Sequence, residues 1–422
     1  MKILILSKEA WRDEKNGGNV LSNIFGGFDA EFAQIYCSDE LPNNSICKTY
    51  FQMSDGMVIA WYKSRKKIGR AFQTEQASGG NAAPEEKRKP RLPGHYLRLC
   101  RELLWNFAKW KTEELANFVR EFAPDLIFAP CYGNNYMAHL SEFVHGIFPA
   151  VPIVSYISDD FYSFKAFNLL PSYWISQLIL RKNTRRAFKL YRFVYTMTEE
   201  QKEQCEKAFG AKMKILKKTG DFSTDNVKTQ VHTPIRLVFA GGVYLNRYKT
   251  LYRIAECIRT LNRDSAKFVL DIYTANPIPQ KELQLLNDGR NARVHPVVPL
   301  AELKEIYRQS DIALHVESFD FQNRTKVERS FSTKIVDCLD SGCATMAVCH
   351  KKQAGLAFLR RNDIGICVSD LKELRSVFCS IAENPEILIE YQKKANQFGL
   401  EHLNAETVKA ELKKDFESVL AD

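Results

Sequence analysis

A chain of 422 residues exceeds one ordinary hydrophobic core and predicts two or three domains. With 45% hydrophobic and 26% charged residues it excludes a disordered protein, and 20 Gly with 15 Pro are too few for a fibrous or low-complexity one. Sixty Lys and Arg against 50 Asp and Glu leave a formal charge of +10, compatible with an anionic substrate, a membrane surface or nucleic acid, without choosing among them.

The apolar run Ile3–Leu6 at the start is far shorter than a signal-peptide core, and no stretch approaches the length of a transmembrane helix. Eleven Cys form neither a CxxC pair nor a Cys/His cluster, so no zinc site is expected. Free thiols without an export signal predict a cytosolic protein.

Lys2–Ser7 reads as a strand buried on both faces. A polar loop carrying Gly17 and Gly18 follows, and Val20–Phe25 begins a helix; paired glycines also serve as ordinary turns. From Lys63 to Arg98 the hydrophobic periodicity vanishes among basic residues, Gly, Ala and Pro, which predicts a flexible basic loop at about 63–96. Helical spacing returns from Leu97 to Val119. Asp125–Pro130 and Val151–Ser158 read as further buried strands. A polar linker spans 221–234, and the rhythm then restarts. Strands are expected at Ile235–Ala240, Phe268–Tyr273, Ala292–His295, Ile312–Val316, Ala344–Val348 and Ile366–Val368. Helices are expected at Thr250–Asn262, Glu302–Gln309 and Lys334–Asp340, the last capped by Gly342. The organisation is therefore α/β: an N-terminal domain over 1–220, a C-terminal domain over 235–402 and a last helix within 403–422.

Ligands of parallel sheets bind beyond the carboxyl ends of the strands, so the loops there carry the candidates. Gly241-Gly242 lets a ligand approach the backbone, and Arg247 and Lys249 offer charge-assisted bonds to phosphate. Ser332 and Thr333 are N-cap residue types with Lys334 beside them, a turn suited to an anion. Asp337 lies one helical turn beyond Thr333, where a carboxylate can accept from two vicinal hydroxyls such as those of ribose. An ordinary turn and an ordinary capped helix explain the same residues. Asp159 and Asp160 follow a strand end; adjacent carboxylates suit a general base, and equally a helix N-terminus. His139 and His145 lie on a predicted helix and read as structural.

The segment STKIVDCLDSGCATMAV resembles the donor-binding helix of GT-B glycosyltransferases, especially glycosyltransferase family 4 and related polysaccharide-biosynthesis enzymes. FAGGVYLNRYKTL and VHPVVPLAELKEIYRQSDIALHV agree in order and spacing, so the resemblance covers about 235–370 and is diffuse before that. It implies two Rossmann-like domains with mainly parallel sheets facing a central cleft. The acceptor would bind the N-terminal domain and a nucleoside-diphosphate sugar the C-terminal one. It further implies that Asp337 holds the ribose and that Arg247 and Lys334 hold the diphosphate, with Lys249 a looser match. Gly242, Ser332 and Thr333 would touch phosphate, Val297, Val298 and Pro299 would lie beside the base, and Gly17 and Gly18 would face the donor. The family commonly carries two Glu with seven residues between. Here Asp337 stands for the second and Arg329 occupies the place of the first, with Glu328 beside it and Glu317 upstream, so the anomeric outcome stays open. No DxD pair is present, and the resemblance implies no metal and no other cofactor: basic residues and helix dipoles would stabilise the leaving diphosphate.

Basic residues gather in the N-terminal half, among them Arg181, Arg185 and Lys189, accompanied by Trp105, Trp110 and Trp174. Such a mixture suits an anionic membrane surface, and no nucleic-acid-binding module is recognisable. The expectation is a cytoplasmic glycosyltransferase, peripheral at the inner face of the membrane, acting on a glycan or lipid-linked acceptor. A nucleotide-sugar epimerase or hydrolase, or a non-catalytic nucleotide- or glycan-binding protein, remains an alternative on the same fold.

Overall fold

The computed structural model describes residues 1–13, 16–74, 94–158, 160–164, 168–224 and 227–421. The chain forms two compact units: Met1–Lys217 together with Lys409–Asp422, and Lys218–Val408.

Unit 1 runs β1 (Lys2–Ser7), α1 (Asn16–Phe25), β2 (Glu31–Cys37), β3 (Thr49–Met53), α2 (Asp55–Ser64), β4 (Arg70–Gln73), α3 (Gly94–Phe107), α4 (Glu113–Phe122), β5 (Leu126–Phe128), α5 (Asn135–Ile147), β6 (Ile153–Tyr156), α6 (Pro171–Phe188), β7 (Tyr191–Thr196), α7 (Glu199–Phe209) and β8 (Met213–Ile215). The sheet order is β4-β3-β2-β1-β5-β6-β7-β8, parallel except for the β3–β4 pair. The order reverses between β1 and β5. β1 is apolar at every central position because helices cover both its faces, and Ile3, Leu4, Ile5 and Leu6 are fully buried. α4 shows how a helix is specified here. Thr112 caps it, Glu113 and Glu114 occupy its first turn, Leu115, Phe118, Val119 and Phe122 face the core, and Ala123 closes it in the left-handed region.

The stretch expected as a basic loop is partly ordered. Lys63 lies in the last turn of α2, and Arg70–Gln73 is the antiparallel edge strand β4. An edge strand needs backbone pairing more than an apolar face; three of its four residues are exposed, and Phe72 stacks on Tyr50 at 5.4 Å. Residues 75–93 of that expectation lie outside the described residues. The glycine loop is also corrected: α1 starts at Asn16, so Gly17 and Gly18 sit in its first turn. A Cβ on Gly18 would lie 2.2 Å from the Arg12 carbonyl oxygen, so only glycine lets α1 pack against that backbone.

Unit 2 runs β9 (Ile235–Ala240), α8 (Arg247–Leu261), β10 (Phe268–Tyr273), α9 (Gln280–Leu286), β11 (Ala292–His295), α10 (Leu300–Arg308), β12 (Ile312–Val316), α11 (Phe321–Val327), α12 (Lys334–Leu339), β13 (Ala344–Val348), α13 (Ala354–Asn362), β14 (Ile366–Val368), α14 (Leu374–Glu383) and α15 (Glu386–His402). Its six parallel strands are ordered β11-β10-β9-β12-β13-β14, reversing between β9 and β12. α12 ends at a cap on Asp340, two residues before Gly342, which takes the left-handed conformation at φ +71°. The last helix, α16 (Ala405–Ala421), belongs to unit 1 from Lys409 onward. There Phe416 packs on Phe25 and Phe28, and Asp415 accepts from the Tyr195 hydroxyl and pairs with Lys214. All eleven cysteines are free, and no described helix is long and apolar enough to cross a membrane.

Candidate active site

The point where a parallel sheet reverses its strand order opens a crevice at the carboxyl ends of the two central strands. In unit 2 these are β9 and β12. β9 ends at Ala240 and runs into Gly241-Gly242; β12 ends at Val316 and runs into Glu317. Both loops meet α8, which begins at Arg247, three residues earlier than the hydrophobic spacing predicts.

Arg247 is buried and forms a two-pronged pair with Glu317: Nε donates to Oε2 at 2.8 Å and Nη2 to Oε1 at 2.7 Å. Its Nη1 donates to the Gly242 carbonyl at 3.3 Å, and its guanidinium lies 4.6 Å from the Tyr244 ring centre. Thr250, one turn along α8, donates to the Glu317 carbonyl at 2.8 Å and fixes the strand end.

Lys334 enters from α12. A Cβ on Gly241 would lie 1.9 Å from Lys334 Nζ, so the glycine leaves the space that the ammonium fills. Gly241 also has φ +149° and donates to the Tyr273 carbonyl at 2.9 Å. Burial, reinforced by Arg247, lowers the Lys334 pKa. His315, fully enclosed on β12, is driven down to about 4 by burial; Glu317 opposes that fall, and Arg247 and Lys334 add to it. It is therefore neutral at pH 7, and among the described residues its Nε2 has no hydrogen-bond partner. Two cations and one carboxylate leave the crevice with one uncompensated positive charge, an arrangement that suits an anion.

The loop that delivers Arg247 is held open by its backbone. Leu245 and Asn246 both take positive φ, 56° and 62°, and Asn246 donates to Asp320 at 3.2 Å. Burial works against the Asp320 carboxylate, yet hydrogen bonds from Ser318, Asn323 and Asn246 outweigh it and hold its pKa at about 2.

The other predicted residues fall in varied places. Gly242 lies against Tyr244 and Asn276, where a Cβ would meet both below 3.0 Å. Lys249 is exposed and lies two residues along α8 from Arg247, roughly 200° around the helix, so the structure does not bring it to the cluster. Thr333 stands at the N-cap of α12 but makes no side-chain cap bond; Ser332 and Thr333 meet that turn through their carbonyls, which accept from Ile335 and Val336. Asp337 pairs with Lys218. Val297, Val298 and Pro299 follow β11, with Val297 60% exposed and Pro299 capping α10. Beside them Tyr273 stacks on His295 at 4.6 Å, and His295 contacts Asp271 at 2.7 Å. Asp160 accepts from the Ser163 N–H at 3.2 Å, and Asp159 lies outside the described residues. His139 contacts Arg186, and burial then that cation lower its pKa.

Unit 1 has its own reversal point, where Gly17 lies near Glu9 and the Tyr132 hydroxyl, 3.7 and 3.8 Å from the position of a Cβ. Neither of those two side chains, nor Glu317, stands out in the sequence as a partner: each is a single residue one to four positions past a strand end. The signal that finds them is the strand order. Among the described residues no group of three or more His, Cys, Asp and Glu is placed to hold a metal ion.

No protein-family model matches the sequence, and no curated protein matches it. Solved structures do. HepE of Anabaena, in complex with UDP, aligns over 99% of this chain and 100% of its own at 14% identity, with a TM-score of 0.62. The fold is GT-B. Sucrose-phosphate synthase from Thermosynechococcus elongatus aligns over 100% of this chain and 99% of its own at 11% identity and a TM-score of 0.62. TarM aligns over 98% of each chain at 11% identity and 0.63. The GT-B resemblance of the donor-helix segment thus extends, as fold, along the whole chain, including the half where the sequence is diffuse.

Proposed function

We propose that this protein is a metal-independent glycosyltransferase, related to family 4, that transfers a hexosyl or similar sugar from a nucleoside-diphosphate donor to an acceptor hydroxyl. The observation that carries the reading is the Arg247–Glu317–Lys334 cluster, one positive charge in excess, at the strand-order reversal of unit 2. HepE, which shares the fold, has been solved with UDP and with UDP-glucose.

In the reaction the bond between the anomeric carbon and the β-phosphate oxygen breaks, and the acceptor oxygen bonds to that carbon. The diphosphate leaves with its electron pair, and the charge that develops on it needs positive partners fixed in advance. Arg247 is oriented for this by Glu317, and Lys334 by the space over Gly241. Asp337 would hold the ribose after exchanging its bond with Lys218, and the loop Val297–Pro299 would flank the base. Asp159 or Asp160 would take the acceptor proton. No cofactor is needed. The proposed setting is cytoplasmic, in cell-surface polysaccharide or glycolipid assembly, with a glycan or lipid-linked acceptor.

Thermal unfolding with UDP, GDP, dTDP, ADP and CMP, each with and without a chelator, tests the reading. A ligand at about 100 times its Kd stabilises by roughly 2.7 kcal/mol. The expected result is a shift with one base, unaffected by the chelator and absent in Lys334→Ala. No shift with any nucleotide would sink the donor site.

A further inference from the structure

α3 anchors to unit 1 through Trp105, which is 1% exposed. Its outer face carries Tyr96, Leu97, Cys100, Leu103, Leu104 and Phe107 at helical spacing, all exposed, with Leu103 at 58% and Phe107 at 68%. α6 lies alongside, tied by Arg98 Nε donating to Ser176 Oγ at 2.9 Å. The outer stripe that leads into and along α6 is Leu169, Leu170, Ile175, Leu178 and Ile179, again exposed, with Leu169 at 83%. α2 joins the same face: Ile59 and Tyr62 are exposed, and the Tyr62 hydroxyl donates to the Leu104 carbonyl at 2.9 Å. Exposed apolar residues gathered this way mark an interaction surface rather than scattered surface hydrophobes.

α2 and α6 turn basic at their carboxyl ends, and basic residues follow the end of α3. The α6 stripe continues into Lys182 and Arg185, α2 into Lys63, Arg65 and Lys66, and α3 into Lys109 and Lys111. Acidic residues on and beside these helices are paired or absent: Asp55 of α2 pairs with Arg101 at 2.8 Å, and Glu113 and Glu114, which follow Lys111, pair with Arg120 and Lys67. Pro171–Phe188 contains none, and Glu102, the one acid of α3, accepts from Asn134 Nδ2 at 3.1 Å and the Asn135 N–H at 2.9 Å. Of the three tryptophans that the sequence suggests as interfacial aromatics, Trp105 and Trp110 are 1% and 3% exposed and take no part, and Trp174 on α6 is half-buried with its Nε1 donating to the Asn168 carbonyl at 2.7 Å; aliphatic residues, Phe107 and two tyrosines supply the apolar surface.

We propose that this face of unit 1 docks on an anionic lipid bilayer. The apolar stripes would sink into the boundary between headgroups and acyl chains, and the basic ends would meet lipid phosphates. A second copy of the chain is a poorer occupant, because it would bring two positive rims together. The chain's own residues 75–93 are poorer still, with Leu92 as their single large apolar residue. The inference uses none of the nucleotide chemistry, so it and the transferase reading fail separately; where both hold, the acceptor is lipid-borne.

The test is co-sedimentation of the full chain with sucrose-loaded vesicles, either pure phosphatidylcholine or equal parts phosphatidylcholine and phosphatidylglycerol, without nucleotide. The expected result is binding to the mixed vesicles only, weakened by salt. Leu103→Asp/Phe107→Asp and, independently, Leu178→Asp abolish it with circular dichroism and Tm unchanged, since these side chains are exposed. Lys63→Gln/Lys109→Gln/Lys182→Gln weakens it by about fivefold per cation removed. Failure of the unaltered chain to bind, or binding undiminished in the variants, overturns the proposal. So does a dimer in light scattering that Leu103→Asp/Phe107→Asp dissolves while no vesicle binding is seen, because the face is then a self-interface.

Discussion

The Arg247–Glu317 pair permits a quantitative test of how unit 2 holds its crevice together. The two side chains are 11% and 3% exposed and meet through two hydrogen bonds of 2.8 and 2.7 Å. For charge centres about 4 Å apart at an effective dielectric constant of about 20, the attraction is about 4 kcal/mol. Arg247→Met strands a carboxylate in the interior, and Glu317→Leu leaves a guanidinium beside the second cation, Lys334. Each is expected to cost about 3–5 kcal/mol of unit 2 stability. The double variant removes both charges together and should lose far less than the sum, giving a coupling of about 3–4 kcal/mol in a double-mutant cycle. Urea denaturation of the full chain provides the assay, because the five Trp (11, 61, 105, 110 and 174) all belong to unit 1. Fluorescence therefore follows unit 1, circular dichroism follows both units, and the variants should move only the part of the circular dichroism transition that fluorescence lacks. A coupling below about 1 kcal/mol, the range of exposed ion pairs, would refute the reasoning.

Gly241→Ala puts a side chain into the Lys334 ammonium and onto a backbone at φ +149°. It should cost about 1–3 kcal/mol and at least tenfold in nucleotide affinity, measured by calorimetric titration. Gly18→Ala drives a Cβ to 2.2 Å from the Arg12 carbonyl oxygen and should destabilise unit 1 by about 3 kcal/mol, seen as an earlier Trp fluorescence transition with unit 2 unmoved. Asp340 is raised to about 6 by burial, with the nearby Asp221 and Asp337 carboxylates adding to the rise and the Asp221 N–H and Lys304 opposing it. The folded state therefore holds this proton more tightly than the unfolded chain. The group costs nothing below about pH 4, its penalty grows between about pH 4 and 6, and it is constant above. Asp340→Asn should gain about 1–2 kcal/mol above pH 6, allowing for partial exposure, and flatten that part of the stability–pH curve.

The second half of the fold was legible because its strands are dense in apolar residues: IRLVFA, FVLDIY and IALHV each carry a single polar residue, Arg236, Asp271 or His315, and all three are interior strands of the sheet. β2 and β3 were harder to read. Gln34 and Gln52 break their apolar runs, yet both are buried. Gln34 accepts from the Trp11 N–H and donates to Ser7, and Gln52 donates to the Ser38 carbonyl and accepts from Arg70, so hydrogen bonds satisfy what a pattern reader counts as solvent-facing. At the site, Arg247 and Lys334 announced themselves by type and place. Glu317 did not, because its partner lies 70 positions earlier and only the β9–β12 pairing brings them together. Lys249, two residues from Arg247, shares its charge but not its helix face, a difference that only the helix start at Arg247 reveals.

The return of α16 to unit 1 makes that unit depend on a helix translated after unit 2. On the ribosome the first 217 residues emerge with Phe25 and Phe28 lacking Phe416 and with Tyr195 and Lys214 lacking Asp415. The intervening Lys218–Val408 takes about 10–40 s to translate at roughly 5–20 residues per second. Through that interval the nascent unit presents an aromatic seam that its own chain will later cover. A chain cut short anywhere in unit 2 keeps that seam open permanently, so truncated products carry an intrinsic mark of incompleteness for chaperones and proteases to find.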